Sequence, residues 1–413
     1  MPFALAIVIL LGGAVVGVPG VVAVGVVAAG AAAARAVWSR GGSEAIEYTR
    51  RLSSDRVVCG DDVGLEIGVR NRSPLPVPWV RTVEILGRGV SIHRPIGARQ
   101  RGIGVGEAIR GELVVGWSLG PFESAVRRFA IRTVRRGVFE LGPSAVGSGD
   151  LLGRPMPSYE IAGRAQFVVR PRMVGVHGLD DARDWDGDRR ARVGLVEDPS
   201  RYAGVREYRP GDPLRRIHWR AAARIGRPLT RRYDPSRRQD VLLALDLRAP
   251  RGPEVGPAER DEATEAIIVA TISLARGLLG EGAAVGLAVA GFAGGRRILF
   301  LPPNATTTGL ELMADLLARL DAIPSMAFPV LLEDVARRVP PGTTIVSLGA
   351  VDPLEAVPAL RSLRRGGFGV LHLAFGRDGA GFAARAVAAG IPARPANLDG
   401  PAASCTRLEL GRC

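Results

Sequence analysis

From Pro2 to Ala34 the chain carries no charged side chain, only Ala, Val, Gly, Ile, Leu, Phe and Pro. A single helix over this run would be about 50 Å long, whereas the hydrocarbon core of a bilayer is about 30 Å thick. Pro19-Gly20 lies in the middle of the run, where a helix breaks and the chain turns. The pattern predicts a transmembrane helical hairpin over residues 1–40, with spans at 3–18 and 21–38.

A cleaved signal peptide is the alternative for this run, since the letters AAAARA resemble a cleavage site. Against it, no positive residue precedes the apolar run, and the run is about twice as long as the apolar region of a signal peptide. Arginines follow the second span, so the positive-inside rule places the rest of the chain in the cytoplasm. These arginines are Arg35, Arg40, Arg50 and Arg51. We therefore predict a cell-membrane protein with two N-terminal spans and a cytoplasmic soluble part.

The basic residues of this chain are all arginine, and lysine is absent from its 413 residues. This bias is typical of a GC-rich genome, and it means that arginine also fills ordinary solvated positions. The formal net charge of +14 therefore does not by itself indicate a nucleic-acid ligand. Cys59, Cys405 and Cys413 are too few and too scattered for a disulfide framework, and their spacing is not that of a zinc site.

Residues 44–172 have the pattern of an all-β, sandwich-like domain. Apolar and polar positions alternate in RVVCGDDVGLEIGVRNRSPLPVPWVRTVEIL, and turn signals interrupt them. Several short strands at this spacing predict a small antiparallel sandwich. Trp79 and Trp117 are interpreted as core or edge packing, and no chemistry is predicted here. Residues 173–200 are predicted to be a polar linker, because DWDGDRR lacks the alternating acids and the closing glutamate of a calcium loop.

The segment 201–240 contains nine arginines within REYRPGDPLRRIHWRAAARIGRPLTRRYD. Asp212 suits a helix N-cap, and Gly226 can end the helix that follows. Apolar residues recur between them at helical spacing, namely Leu214, Ile217 and Ala221. Residues 229–233 then alternate as in a strand. The arginines are therefore predicted to lie on a turn, a helix and a strand that lead into a buried strand.

Ten residues of this segment form a candidate partner-binding or junction motif: Arg206, Glu207, Tyr208, Gly211, Asp212, Arg216, His218, Trp219, Arg224 and Arg231. The arginines could form bidentate pairs with nearby acids (Glu207, Asp212 and Asp234) and so fix a junction between domains. Trp219 is predicted to make a large apolar contact. His218 is interpreted as a packed or hydrogen-bonding side chain, because no nearby Ser, Cys or acid completes a nucleophile–base arrangement.

Residues 241–413 alternate short apolar runs with helical stretches. The predicted buried strands are VLLALDL, AAVGLAVAG, RRILFLPP, TTIVSLGAV and FGVLHLAFG. The predicted helices are ERDEATEAIIVATISLARGLLGEG, TTGLELMADLLARL, LLEDVARRV, DPLEAVPALRSLRRG and GFAARAVAAG. This alternation indicates an α/β, doubly wound and mostly parallel sheet, in which ligands bind at the carboxyl ends of the strands. AGFAGGRR lacks the lysine and the helix of a phosphate-binding loop.

The stretch YAGVREYRPGDPLRRIHWRAAARIGRPLTRRYD closely resembles the signature of the bacterial family named domain of unknown function 58. The resemblance extends to the N-terminal apolar hairpin, to RRGVFELGPSAVGSGDLLG and to VVRPRMV. One departure is SGDLLGR, where the family usually has a proline and a phenylalanine after the aspartate. The resemblance implies a membrane-anchored protein with a von Willebrand factor A-like C-terminal half that works beside MoxR-type AAA+ ATPases. It implies no reaction, because the molecular activity of the family is not established.

The resemblance also bears on metal binding. Von Willebrand-like domains that bind Mg²⁺ use an Asp-x-Ser-x-Ser run after the first strand, which supplies the oxygen ligands that this hard cation requires. Here Asp246 is present, but Arg248 and Pro250 replace both serines. Arg248 would place a positive charge at the cation position, or would pair with Asp246. A leucine follows Ser347 where such domains supply a second acid. We predict no metal site and no cofactor.

These features favour a membrane-anchored scaffold or interaction protein, for which the resemblance makes a MoxR-type AAA+ ATPase the candidate partner. A nucleic-acid-binding protein that uses the Arg-rich segment 205–238 is the alternative. Few aromatic residues interleave those arginines, so no nucleic acid is expected, and steep loss of DNA binding with added salt would indicate the opposite. An enzyme is the third possibility. The sequence offers no catalytic triad, metal cluster or paired carboxylates, so we predict no enzymatic activity and identify no small-molecule substrate.

Overall fold

The structure is a computed structural model, and it describes residues 2–41, 46–87, 90–96, 107–109, 111–149, 158–161, 163–178, 197–208, 217–235, 239–250, 255–293, 297, 299–321 and 323–411. The chain forms two compact units, Met1–Pro171 and Arg172–Cys413. The first unit consists mostly of β-sheet, and the second is an α/β region. Both sequence predictions are confirmed at this level.

Two helices begin the first unit, α1 (Pro2–Val16) and α2 (Pro19–Gly41). Gly17 separates them with a φ of 73°, a left-handed conformation that glycine adopts at no steric cost. Pro19 is the first residue of α2, a position where its missing N–H is not needed. Within the described residues neither helix qualifies as a membrane span by length and composition, since the apolar helical stretches found there, Ile7–Val16 and Pro19–Gly30, are shorter than the about 20 residues of a typical span.

The strands of the first unit build two sheets. In chain order they are β1 (Ile46–Leu52), β2 (Arg56–Val58), β3 (Asp62–Asn71), β4 (Val77–Leu86), β5 (Val90–Ile96), β6 (Glu107–Ile109), β7 (Glu112–Leu119), β8 (Ser124–Thr133), β9 (Gly137–Gly149), β10 (Tyr159–Ile161) and β11 (Ala165–Arg170). One sheet has the order β1-β3-β8-β5, and the other β2-β11-β9-β4-β7-β6, with β10 beside β9. Neighbouring strands are antiparallel except for the parallel pair β2–β11. Trp117 is buried, as predicted, and its Nε1 donates to Thr82 Oγ1 at 3.0 Å.

The elements of the second unit follow in chain order. They are β12 (Gly175–His177), β13 (Glu197–Glu207), α3 (Trp219–Ile225), β14 (Leu229–Pro235), β15 (Asp240–Leu245), α4 (Pro257–Gly280), β16 (Ala284–Val289), β17 (Leu299–Asn304), α5 (Thr307–Ala318), α6 (Phe328–Arg338), β18 (Thr344–Gly349), a 3₁₀ turn (Pro353–Glu355), α7 (Val357–Arg365), β19 (Gly369–Ala374), α8 (Gly379–Ala388), β20 (Ala393–Leu398) and β21 (Arg407–Leu410).

The main sheet of this unit has the order β12-β21-β20-β19-β18-β15-β16-β17. The five strands from β20 to β16 are parallel, and the antiparallel strands β17 and β21 flank them. Strand β15 lies inside the sheet between β18 and β16, and the chain proceeds from it first to one side, through β16, and later to the other, through β18. The carboxyl ends of β15 and β18 therefore meet at the switch point of the sheet, where open α/β sheets bind ligands.

Helices cover both faces of this sheet. Val241, Leu243 and Leu245 of β15 share one apolar cluster with α4 and α5, whereas Leu242 and Ala244 share the other cluster with α6, α7 and α8. Every second side chain thus faces the opposite layer, and this two-sided burial explains the unbroken apolar runs in the sequence. Within the described residues α4 is long and apolar enough to cross a membrane, but 61% of its apolar window is buried inside this unit.

Two strands lie inside the segment for which a polar linker is predicted. β12 pairs in parallel with β21 and so belongs to the main sheet, and β13 begins at Glu197. Residues 179–196, which include the DWDGDRR stretch, lie outside the described residues. The strands β20 and β21, which lie between β19 and β12 in the sheet, were not predicted.

Candidate functional site

The Arg-rich segment folds into a two-stranded antiparallel ribbon with a helix between the strands. β13 pairs with β14, and two register shifts around Tyr202 interrupt the ladder. Just before the helix, Ile217 forms an isolated antiparallel bridge with Thr230. His218 N–H also donates to Leu229 O at 2.8 Å. The strand over residues 229–233 is therefore confirmed.

Helix α3 is shorter than predicted. It begins at Trp219, and its N-cap is His218, whose Nδ1 accepts a hydrogen bond from Ala221 N–H at 3.1 Å. The prediction that the helix already includes Ile217 is wrong, because that residue is paired with β14. The end at Gly226 is confirmed: φ is 76°, and its N–H donates to Ala222 O at 2.9 Å. The hydrogen-bonding role of His218 is confirmed too.

Helix α3 buries none of its seven residues. Trp219 is 70% exposed and Ile225 is 55% exposed, so the predicted apolar packing of Trp219 is wrong. Residues 219, 222 and 225 are spaced by three along the helix and so form one stripe, while Arg220 and Arg224 lie on the opposite side. The helix thus presents an apolar stripe on one side and arginines on the other. We call the residues Trp219, Ala222 and Ile225 the α3 stripe.

The structure describes only some of the residues for which ion pairs were predicted in this segment. Glu207, at the end of β13, pairs with Arg227, just after α3, and both side chains are largely exposed. Arg206 lies on β13 opposite Thr230, and Arg231 lies on β14 opposite Val205. Tyr208 is half-buried, and its N–H donates to Pro228 O at 3.0 Å. Three residues of the predicted motif lie outside the described residues: Gly211, Asp212 and Arg216.

A second group of polar residues lies at the switch point of the main sheet. Asp246 directly follows β15, is buried, and donates its N–H to Leu348 O at 2.8 Å. Its carboxylate accepts hydrogen bonds from Arg248: Oδ1 from the backbone N–H at 3.1 Å and from Nε at 2.9 Å, and Oδ2 from Nη2 at 2.6 Å. The predicted pairing of Arg248 with Asp246 is confirmed. The opposite end of the guanidinium pairs with Glu355, at the end of the 3₁₀ turn.

Gly349, the last residue of β18, lies beside this pair. A Cβ on Gly349 would be 3.4 Å from Asp246 Cβ and 3.6 Å from His372 Cε1, so both side chains converge on its backbone. An alanine at this position would make ordinary van der Waals contact with both side chains. The buried polar groups at this edge therefore pack around a glycine.

The charges at this edge follow from burial and pairing. Burial raises the pKa of Asp246, and the hydrogen bonds from Arg248 act against that rise. The hydrogen bond to Asp246 raises the pKa of Arg248, which stays protonated. Burial lowers the pKa of His372 to about 4, so its imidazole is neutral at pH 7. Among the described residues no group of three or more His, Cys, Asp or Glu side chains could hold a metal ion.

Sequence reasoning missed a buried polar cluster in the first unit. Glu84 on β4 accepts hydrogen bonds from Arg50 Nη1 at 2.8 Å and from Ser144 Oγ at 2.5 Å, and Tyr48 also donates to it. Tyr48 and Arg50 belong to β1 of one sheet, whereas Glu84 and Ser144 belong to the other, so the cluster joins the two sheets. Burial raises the pKa of Glu84 to about 7. The sequence did carry a signal for this cluster. In β4 the alternation of apolar and polar residues assigns position 84 to the core, and that position holds a glutamate.

Residues 204–341 match the model of the family described as Protein of unknown function DUF58. The match begins in β13 and ends shortly after α6, so it includes both the α3 stripe and the Asp246–Arg248 pair. Over residues 204–341 the chain is thus similar to DUF58 proteins. A related sequence is "Uncharacterized protein YeaD" of Bacillus subtilis (strain 168), which is 23% identical over 250 residues, 60% of this chain and 56% of that protein. The chain thus matches little more than half the length of that relative.

Solved structures also match about 30% of the chain. A non-cellulosomal cohesin from Archaeoglobus fulgidus is 13% identical, with a TM-score of 0.23 over 30% of this chain and 91% of that chain. The CARDB domain of the PF1109 protein from Pyrococcus furiosus is 18% identical, with a TM-score of 0.19 over 31% of this chain and 89% of that chain.

Proposed function

We propose that this protein is a membrane-anchored cytoplasmic scaffold that binds another protein through its DUF58-like region. The observation that carries the proposal is the exposure of the α3 stripe. A helix that buries none of its own residues and exposes a tryptophan and an isoleucine gains stability when a partner covers them. Tryptophan and arginine are also the residues most enriched at the energetic centres of protein interfaces.

The composition of the stripe favours a protein partner over a nucleic acid. Nucleic-acid surfaces combine basic side chains with aromatic rings on which bases stack. Here an alanine and a branched aliphatic residue continue the stripe from Trp219, and neither can stack a base. The neighbouring Arg227 is paired with Glu207 rather than directed to a phosphate. An apolar groove of a protein fits this helix better.

The N-terminal helices would supply the anchor. Residues 2–34 carry no charge, and α1 and α2 approach each other closely at Gly13, where a Cβ would lie 2.9 Å from Val22 N. Helix pairs in membranes use such small residues for close contact. Arg35 and Arg40 near the end of α2 favour a cytoplasmic position for the rest of the chain.

The proposal extends to the fold and to the class of partner. The strand order β17-β16-β15-β18-β19-β20, with β17 antiparallel, supports a von Willebrand factor A-like assignment for the α/β unit. The sequence resemblance makes a MoxR-type AAA+ ATPase the proposed partner. Such a pair would assemble or remodel other components at the membrane.

The test uses the full chain in its native membrane. Photo-crosslinking p-benzoylphenylalanine replaces residue 219, and in a matched control it replaces Leu312, an exposed residue of α5. We expect position 219 alone to capture a MoxR-type ATPase, identified by mass spectrometry, and we expect excess parent chain but not Trp219→Ala to compete. Capture of nucleic acid at position 219, or equal capture at both positions, would contradict the proposal.

A further inference from the structure

Arg248 is held rigidly by a buried acid, and the described residues use only part of its hydrogen-bonding capacity. A guanidinium carries five N–H donors: one on Nε and two on each Nη atom. Asp246 takes the edge formed by Nε and Nη2, at 2.9 Å and 2.6 Å. Since Asp246 is itself buried and also bonds the backbone N–H of Arg248, the orientation of the guanidinium is fixed before any ligand arrives.

The end of the guanidinium formed by Nη1 and Nη2 points away from Asp246, toward the surface. Nη1 there contacts Glu355, whose side chain is 75% exposed, while the side chain of Arg248 is 21% exposed. An ion pair with so exposed an acid contributes little stability, because water solvates the carboxylate almost as well. The contact nevertheless places a carboxylate at this end of Arg248.

We propose that the Nη1–Nη2 end of Arg248 is a docking point for an aspartate or glutamate side chain of a protein partner. Glu355 occupies this point until the acid of the partner displaces it. The exchange replaces a single contact by a bidentate one, the arrangement in which a guanidinium and a carboxylate bind best. The site lies at the carboxyl ends of β15 and β18, where open α/β sheets bind their ligands.

The surroundings fit an acidic segment of a protein. Leu354, next to Glu355, is an exposed apolar residue that can contact the segment beside its acid. The net charge of +14 attracts an acidic partner over a longer range. A second arginine at this edge, Arg385, is held by two acids, Asp352 at 2.8 Å and Asp378 at 2.9 Å. Arg248 is therefore the arginine whose surface contact is more easily exchanged.

This inference rests on the proposed function in that the ligand is part of a protein, but it assigns a surface distinct from the α3 stripe. Its test needs no knowledge of the partner. Two heptapeptide phage libraries, identical except for a fixed central Glu or a fixed central Gln, are selected on the immobilised full chain. We expect about tenfold greater retention of the Glu library, in line with one charge-assisted bidentate contact.

Variants then locate the contact. Glu355→Gln should raise retention of the Glu library several-fold, because it removes the competing charge. The control Glu333→Gln removes the same charge from an exposed position on α6 and should leave retention nearly unchanged. Arg248→Gln should abolish the preference, whereas Arg338→Gln, which removes an arginine paired with Asp334 at 2.6 Å, should not.

Equal retention of both libraries on the parent chain would overturn the proposal, and so would equal effects of Glu355→Gln and Glu333→Gln. If Arg248→Gln does not fold, the comparison of the two glutamate variants decides alone, since both positions are exposed. Trp219→Ala should leave the preference intact. Failure of the crosslinking experiment at position 219 would therefore not be mistaken for failure at Arg248.

Discussion

His372 Nδ1 lies 2.9 Å from Ser347 Oγ, and the two residues are direct neighbours on the parallel strands β19 and β18. Both side chains are buried. In the described part of the chain no group hydrogen-bonds the other ring nitrogen, Nε2. The imidazole therefore sits in the sheet as a neutral group, and a proton on it would have no partner.

This arrangement predicts that stability falls as the pH falls. Burial lowers the pKa of His372 to about 4 in the folded state, so below about pH 6.5 the unfolded chain binds a proton that the folded chain rejects. We expect His372 to reduce the free energy of unfolding by about 3 kcal/mol between pH 7 and pH 4. Urea denaturation of the parent and of His372→Phe should show this as a difference that grows toward acid. An equal pH dependence of the two proteins would contradict it; exposed His177→Phe is the control.

The buried pair in the first unit predicts a large effect for one substitution and recovery by a second. Above pH 7, where Glu84 with its pKa of about 7 is ionised, Arg50→Met leaves Glu84 buried without its cation and should cost about 3–5 kcal/mol of unfolding free energy. The double variant Arg50→Met with Glu84→Leu should recover most of the lost stability, because both buried charges have then been removed. Arg128→Met, which breaks the exposed pair with Glu66, should cost less than about 1 kcal/mol. Additive losses in the double variant would refute this account.

The exposure of Trp219 predicts separate effects on stability and binding. Trp219→Ala should change the unfolding free energy by less than about 0.5 kcal/mol, because surface substitutions rarely do more. Trp117→Ala, at a buried position, should cost about 3–5 kcal/mol. Thermal melting measures the stability of both variants, and the amount of crosslinked partner measures binding. A marked loss of melting temperature in Trp219→Ala would mean that the tryptophan packs against the protein itself.

The uncharged N-terminal run predicts the topology. If α1 and α2 cross the membrane as a hairpin, a reporter fused to the C-terminus should report the cytoplasm, and an N-terminal tag should lie on the same side. Protease protection in spheroplasts measures both ends. A mature chain that is cleaved near Ala34 and released from membranes would rule the anchor out.

The Arg248–Asp246 pair predicts that partner binding does not depend on Mg²⁺ or Mn²⁺. The carboxylate that a cation would need already accepts several hydrogen bonds from a guanidinium. Calorimetry of the full chain should detect no micromolar Mg²⁺ site, and EDTA should leave partner capture unchanged. Micromolar binding that disappears in Asp246→Ala would reverse this expectation.

The α/β region could be predicted because its central strands are covered on both faces. The continuous apolar runs around β15, β16, β18 and β19 follow directly from that burial. The strands that were missed lack this property: β20 contains Pro395, and β21 has only four residues with alternate burial. Because only some of their residues are buried, these strands lack the continuous apolar run that marks a strand covered on both faces.

The site could be predicted only where its residues are neighbours in sequence. Arg248 follows Asp246 by two positions, and their pairing was expected. Glu355 lies 107 positions beyond Arg248, and only the fold brings it to the guanidinium. His372 was hidden within an apolar run. The predicted start of helix α3 was wrong for a related reason. Ile217 pairs with Thr230, which is distant in sequence, and this pairing overrides the local helical spacing.

The ion pair between Arg248 and Asp246 also bears on how the proposed binding at the sheet edge can be controlled. A guanidinium keeps its proton throughout the physiological pH range, and it is made with the polypeptide rather than acquired afterwards. Neither chelators nor acidification within that range can take this charge away. If Arg248 binds an acidic partner as proposed, control of the site would therefore act through the acids that compete for Arg248, or through the amount of protein.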